Sequence, residues 1–192
     1  MSTPREPHVS RGFSETNLYL VPAPDAEALR PRLVGQQVID HLRATGIVAG
    51  MYDSRLGWLG AGRRAPELFR GRSASGFEYL IVYEGASAEF VPNAHIGAFG
   101  AVCKCCDASL DEALRTLLRD EQHRGDARER RVSCEACGTS HCLGELRCRH
   151  DCALTCFYLN FCNVGSVELA PKVLGELESL VGAELRVVLE RL

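Results

Sequence analysis

Short apolar segments bounded by turn residues predict five β-strands along this chain. The predicted strands cover residues 17–21, 47–51, 77–83, 154–162 and 185–190. Apolar residues that recur every three or four positions predict one helix from about Pro31 to Gly46 and another from Pro171 to Gly182. Proline in the first turn and glycine just past the last are typical of helix boundaries. The Gly-, Arg- and Ser-rich segment 53–77 predicts a long loop.

The order of these elements predicts an α+β fold. Strand, helix, strand, strand are followed, after a cysteine-rich interval, by strand, helix, strand, which is the order of a ferredoxin-like (split βαβ) sandwich. Such a fold has a mainly antiparallel sheet with helices on one face. We therefore expect a flexible tail over 1–15, a sandwich formed by 16–97 and 153–192, and an inserted zinc-ribbon-like module over 98–152.

Composition and charge narrow the function classes. The chain has 192 residues, of which 46% are hydrophobic, and a net charge of −3. This balance argues against extensive disorder and gives no electrostatic reason for nucleic acid or an anionic membrane to be the main partner. No apolar stretch is long enough for a transmembrane helix, and the polar N-terminus lacks the apolar core of a secretory signal. We expect a cytoplasmic protein, and the Ala-, Arg-, Leu- and Gly-rich usage resembles that of high-GC bacteria.

All ten cysteines lie between Cys103 and Cys162. Without a secretory signal, this clustering favours metal binding or core packing over a disulfide framework. Four of the cysteines form two C-x-x-C turns, Cys103–Cys106 and Cys134–Cys137. Each such turn can direct two thiolates at one point, so the two together predict one closed S4 site, the usual ligand set of a structural Zn²⁺.

The two C-x-x-C turns resemble those of zinc-ribbon and zinc-knuckle modules over about residues 100–142. The resemblance implies a structural metal and does not indicate a partner. The chain departs from the pattern in two ways. A helix is predicted over 110–118 between the knuckles, and Cys105 inside the first turn leaves C-x-C ligation open. An iron–sulfur cluster is the alternative to zinc.

A second group of potential ligands follows the second knuckle. Cys142, Cys148, Cys152 and His150 could form a second zinc site. In the competing interpretation, Cys148 and Cys152 are loop thiols. Two further cysteines, at positions 156 and 162, then act as small hydrophobic residues of a buried strand.

The sequence shows no convincing catalytic signature, so we expect a non-enzymatic, zinc-stabilised binding or adaptor protein that acts through protein–protein contact. The candidate partner surface is the long loop with the only tryptophan and four arginines: Trp58, Arg63, Arg64, Arg70 and Arg72. One alternative is a nucleic-acid-binding zinc-ribbon protein, which the charge does not favour. Another is a redox or metal-handling enzyme that uses the surplus cysteines.

Overall fold

The computed structural model describes residues 16–23, 32–70, 76–92, 100–119, 130–148 and 152–191. Within these ranges the chain forms ten strands and three helices. The strands are β1 (Thr16–Pro22), β2 (Val48–Asp53), β3 (Trp58–Ala61), β4 (Tyr79–Val91), β5 (Ala101–Val102), β6 (Arg131–Ser133), β7 (Ser140–Cys142), β8 (Arg147–Cys148), β9 (Ala153–Cys162) and β10 (Leu185–Arg191). The helices are α1 (Gly35–Ala44), α2 (Asp111–Arg119) and α3 (Pro171–Val181).

Six of the strands form one sheet in the order β10-β1-β9-β4-β3-β2. Each neighbouring pair in this sheet is antiparallel. The other four strands form two small sheets, β5 with β8 and β6 with β7. The expectation of a mixed α/β protein with a mainly antiparallel sheet is confirmed.

One face of the large sheet packs against α1 and α3. Alternate residues of the central strands, such as Leu20 of β1 and Leu159 of β9, are fully buried there. They pack in one hydrophobic cluster with Val38 and Leu42 of α1 and Leu177 of α3. Because successive side chains of a strand point to opposite faces, the other residues of β1 and β9 form a second face with different chemistry.

The predicted helix ends agree with the structure at two glycines. Helix α3 begins at Pro171 and is followed by Gly182, whose φ of 68° is left-handed. Gly46, with φ of 75°, ends the turn after α1. Helix α1 begins only at Gly35, later than predicted, and residue 31 lies outside the described residues.

The prediction of one long loop over 53–77 was wrong. Strand β3 lies inside this segment, and a short 3-10 helix follows at Ala65–Leu68. The sequence of β3, Trp58-Leu-Gly-Ala61, lacks a strand-like alternation, and the strand exists because β2 and β4 pair with its two edges. Strand β4 also runs past the predicted end to Val91.

The cysteine-rich segment leaves and returns at one end of the β4–β9 pair. Val91 pairs with Ala153, so residues 92–152 are an excursion from this end of the sheet. A second hydrophobic cluster joins the segment to the sheet, because Phe90 of β4 and Cys156 of β9 pack with Leu114 of α2. The domain bounds stay a prediction, and the predicted tail 1–15 lies outside the described residues. No helix in the described part of the chain is long and apolar enough to cross a membrane.

Candidate metal centre

The first C-x-x-C turn is closed by backbone hydrogen bonds. The N–H of Asp107 donates to the carbonyl of Cys103 at 3.0 Å, and the N–H of Cys103 donates to the carbonyl of Ala108 at 2.9 Å. To close this turn, Asp107 adopts a left-handed φ of 54°. Aspartate tolerates this conformation better than most residues that carry a Cβ.

The second turn repeats the same geometry. The N–H of Gly138 donates to the carbonyl of Cys134 at 2.8 Å, and the N–H of Cys134 donates to the carbonyl of Thr139 at 2.8 Å. Gly138 has the left-handed φ of 74° that corresponds to Asp107 in the first turn. The β6–β7 hairpin holds this turn, since Ser133 pairs with Ser140.

The two turns bring four sulfurs together. The Sγ atoms of Cys103 and Cys137 are 3.6 Å apart, those of Cys106 and Cys134 are 3.7 Å apart, and all four lie within 4.8 Å of one another. These separations are far longer than the ~2.05 Å of a disulfide bond. They fit a tetrahedron around one ion, in which metal–sulfur bonds of ~2.3 Å place the sulfurs ~3.8 Å apart. The four cysteines could therefore hold a metal ion.

The site lies at the edge of the second hydrophobic cluster. Cys103 and Cys134 are buried in it, whereas Cys106 and Cys137 are exposed. An ion at the centre of the four sulfurs would thus join two buried ligands to two surface ligands. It would therefore link the two C-x-x-C turns to the hydrophobic cluster that α2 shares with the end of the sheet.

Hydrogen-bonding groups surround the sulfurs. The Nε2 of His141, a buried residue of β7, lies 3.2 Å from Cys103 Sγ, and the N–H of Cys105 donates to the same sulfur at 3.4 Å. The hydroxyl of Thr139 lies 3.2 Å from Cys137 Sγ. Contacts of this kind stabilise thiolates and orient metal ligands.

The two exposed thiols of the site have opposite pKa shifts. Hydrogen bonds from the Thr139 hydroxyl, and then from its backbone, lower the pKa of Cys137 to about 6. The backbone of Ala108 lowers the pKa of Cys106, but hydrogen bonds with neighbouring sulfurs, first that of Cys137, raise it to about 12. Cys137 therefore ionises easily, and its thiolate opposes ionisation of Cys106. A cation would relieve this repulsion.

The predicted C-x-x-C set is the group that the structure brings together. Among the described residues, Cys103, Cys106, Cys134 and Cys137 are the only group of three or more potential ligands whose donor atoms lie this close. Cys105 is exposed and lies outside the group. Its contribution is the backbone N–H that points at Cys103.

The second group of cysteines makes different contacts. The guanidinium of Arg131 donates to Cys142 Sγ at 3.1 Å. A hydrogen bond with Cys152 lowers the pKa of Cys148, so these two thiols are neighbours. His150 lies outside the described residues, and a second zinc site stays a prediction.

The last two cysteines are part of strand β9. Cys156 and Cys162 are buried, as expected of small hydrophobic residues in a buried strand. Burial also raises the pKa of the Cys162 thiol to about 12. A protonated thiol is a poor metal ligand at neutral pH.

The structure places Trp58 and Arg64 in different surroundings. The Trp58 ring stacks on Tyr79, with ring centres 4.6 Å apart. Arg64 forms an exposed ion pair with Glu67 at 2.7 Å and donates to the Thr45 carbonyl at 3.0 Å.

Two other arginines of the candidate surface lie within the described residues. The backbone N–H of Arg70 donates to the Glu168 carbonyl, and Arg63 is exposed. Arg72 lies outside the described residues. The candidate partner surface as a whole stays a prediction.

Two residues near the centre were missed from the sequence. His141 lies between Ser140 and Cys142 in β7. Its own segment does not indicate that the ring faces Cys103 of the first knuckle. Asp111 reaches back from the start of α2, accepting the N–H groups of Ala101 at 2.8 Å and Gly100 at 3.2 Å. The helix predicted over 110–118 gave no indication of this link to β5.

Comparison with known proteins gives no relative for this arrangement. No family model, no curated protein and no solved structure matches the chain.

Proposed function

We propose that this chain is a zinc-stabilised, non-enzymatic binding protein in which Cys103, Cys106, Cys134 and Cys137 hold one structural Zn²⁺. One observation carries the proposal: the four sulfurs lie within 4.8 Å of one another. They supply all four positions of a tetrahedral ion. A catalytic zinc keeps one position for water or substrate, and a closed S4 set leaves none.

The donor chemistry favours zinc among the metals. Four thiolates in a tetrahedral arrangement are typical of Zn²⁺ or of iron in sulfur sites, and they exclude the oxygen-preferring Mg²⁺ and Ca²⁺. The His141 contact to Cys103 also supports a ligand role for that sulfur. Ordered groups of this kind commonly hold the ligands of a metal in place.

The sheet supports a split-βαβ framework for the proposed protein. Strand β1 leads through α1 towards β4, and β9 leads through α3 to β10, with β1 and β9 adjacent in the sheet. In this interpretation the β2–β3 hairpin extends one edge. The metal module is inserted between β4 and β9, the order expected of a ferredoxin-like sandwich with insertions.

The exposed end of the β2–β3 hairpin supports contact with a protein partner. Met51, Tyr52 and Leu56 are 48%, 50% and 58% exposed, which is unusual for apolar side chains so close together in the chain. The ring of Tyr52 stacks on Tyr79, which also stacks on Trp58. The aromatic part of the predicted partner surface therefore has apolar neighbours, whereas Arg64 is already paired with Glu67.

X-ray absorption spectroscopy of the purified protein, together with elemental analysis, tests the metal. We expect one zinc per chain and four sulfur neighbours at about 2.3 Å, with no lighter ligand. Visible absorbance near 400 nm would instead indicate iron–sulfur ligation. A nitrogen or oxygen atom in the first coordination sphere would contradict the closed structural site.

A further inference from the structure

Two half-buried thiols lie side by side outside the four-cysteine site. Cys148 is the last residue of β8, and Cys152 stands one residue before the start of β9. Their thiols are hydrogen-bonded to each other. Both side chains also pack against the second hydrophobic cluster, which contains Cys103 and Cys134. We call Cys148 and Cys152 the thiol pair.

The backbone on each side of the thiol pair is anchored separately. Cys148 pairs with Ala101 in the β5–β8 sheet, so the strand that leads into the first knuckle fixes its position. The carbonyl of Cys152 accepts a hydrogen bond from Arg186 Nη2 of β10 at 2.5 Å, and the next residue, Ala153, pairs with Val91 of β4. The two thiols are therefore brought together by two different sheets.

The four-cysteine arrangement is not repeated at the thiol pair. Among the described residues, Cys148 and Cys152 belong to no group of three or more potential ligands with closely spaced donor atoms. Cys142, the nearest cysteine in sequence, contacts the guanidinium of Arg131 instead. A structural zinc needs four ligands, so two adjacent thiols favour covalent thiol chemistry over ion binding.

The surroundings of Cys148 favour its nucleophilic form. The hydrogen bond with Cys152 lowers the pKa of Cys148, burial and the Asp111 carboxylate oppose this shift, and the Arg186 guanidinium adds to it. The net direction is downward. A thiolate attacks a disulfide, and a second thiol beside it is positioned to resolve the mixed disulfide that results.

We propose that Cys148 and Cys152 are a reversible redox site that closes to an intramolecular disulfide in the presence of a small-molecule disulfide such as oxidised glutathione. The Cys148 thiolate attacks one glutathione sulfur, the S–S bond breaks, and one glutathione leaves as a thiolate that takes up a proton. Cys152 then gives its proton to solvent and attacks Cys148 Sγ, which releases the second glutathione. Two cysteine thiols are oxidised while one glutathione disulfide is reduced to two thiols.

The disulfide would join β8 to the start of β9, where the cysteine-rich segment returns to the large sheet. Forming it requires the two sulfurs to move from hydrogen-bonding contact to a bond of ~2.05 Å. The site goes beyond the proposed function, because it uses none of the four proposed zinc ligands. Its failure would leave the structural zinc untouched.

Mass spectrometry of the zinc-loaded full chain, treated with oxidised glutathione, tests the proposal. We expect the intact protein to lose two hydrogen atoms, to carry no glutathione and to regain both atoms on reduction. Trypsin cuts after Arg147 and Arg149, so the disulfide would link peptide 148–149 to peptide 150–172, with fragmentation assigning the bond to Cys152. Native protein that keeps both thiols, or that ends as a stable glutathione adduct, would overturn the proposal.

Two variants separate the roles of the thiols. Cys152→Ser should stop at a glutathione adduct on Cys148, because no second thiol is there to resolve it. Cys148→Ser should react with glutathione at residue 152 at least about tenfold more slowly than the native protein reacts at Cys148. Cys142→Ser, at another half-buried thiol, is the matched control and should form the disulfide as the native protein does.

Elemental analysis of the same variants distinguishes the redox site from a second metal site. We expect Cys148→Ser and Cys142→Ser to keep the zinc content of the native protein. Loss of one zinc equivalent in either variant would assign these cysteines to a metal and overturn the redox site. If Cys152→Ser does not fold, the peptide map of the native protein decides, since a bond from Cys148 to any cysteine other than Cys152 would equally contradict the proposal.

Discussion

The Nε2 of His141 lies 3.2 Å from the Sγ of Cys103, and both residues are buried. The contact joins the β6–β7 hairpin of the second knuckle to a sulfur of the first knuckle. It therefore links the two halves of the four-cysteine site without using a ligand position. The two turns are held together by this contact as well as by any ion they share.

Replacing His141 should weaken metal binding without removing it. His141→Phe keeps a buried ring but loses the nitrogen that faces Cys103, so we expect the zinc affinity to fall by about 10- to 100-fold. Competition with a chromophoric chelator measures this change. Ser140→Ala, at the exposed neighbouring position, is the control and should bind zinc as the native protein does. An unchanged affinity in His141→Phe would show that the contact does not support the site.

Cys134→Ser should lose one equivalent of metal and destabilise the protein by more than about 4 kcal/mol. The serine hydroxyl is a much weaker zinc ligand than a thiolate, and Cys134 is a buried member of the site. Cys105→Ser is the matched control, since Cys105 is exposed and lies outside the group. Elemental analysis and thermal unfolding check both variants. Loss of metal in Cys105→Ser alone would favour C-x-C ligation.

Removal of the metal by a strong chelator should loosen one end of the sheet along with the knuckles. Phe90 and Cys156 share a hydrophobic cluster with Cys103 and Cys134, so their backbones should lose protection from hydrogen exchange. Leu159, on the helix-covered face, should keep its protection. Hydrogen exchange with mass spectrometry measures the three regions separately. Unchanged exchange throughout 100–148 after complete metal removal would contradict a structural role for the ion.

Glu89 should make the protein less stable as the pH rises. Burial raises the pKa of Glu89, although hydrogen bonds from Tyr158 and Tyr83 lower it in part. The folded protein then holds the proton more tightly than the unfolded chain. The contribution of Glu89 to the free energy of unfolding therefore falls as the pH rises through the folded pKa. Below about pH 4.3, the pKa of a glutamate in an unfolded chain, Glu89 is protonated in both states and does not destabilise the fold.

Glu89→Gln should accordingly be more stable than the native protein at pH 7, with the difference disappearing near pH 4. Urea unfolding across this pH range checks the prediction. Glu67→Gln is a control of opposite sign, because Arg64 lowers the pKa of Glu67, and its effect should be small at this exposed position. A difference for Glu89→Gln that grows towards low pH would contradict the assignment.

The β2–β3 hairpin end should carry the partner contact. Leu56 is 58% exposed, so Leu56→Asp should leave the melting temperature unchanged while reducing cross-linking of a protein partner from this surface. Trp58→Ala loses its stack on Tyr79 and should reduce both the cross-linking and the stability, the latter by about 1–2 kcal/mol. Arg64→Ala should change neither appreciably. Full cross-linking in Leu56→Asp would contradict a partner contact at the hairpin end.

Local chemistry in the sequence was enough to predict the four-cysteine site and the boundaries of α3. Two C-x-x-C turns direct their sulfurs inwards because of backbone geometry within a few residues, and Pro171 and Gly182 limit a helix by their own conformational preferences. The apolar segment 154–162 likewise predicted β9, a strand that is buried on both faces.

Only the tertiary structure decided the features that depend on distant partners. Strand β3 has little intrinsic preference and forms because β2 and β4 lie on both sides of it. The approach of His141 to Cys103 depends on how two knuckles meet, and nothing within either knuckle specifies it. The position of Asn160 beside Tyr19 depends on strand register between β1 and β9. Register is set by packing across the whole sheet, which no single segment of the sequence contains.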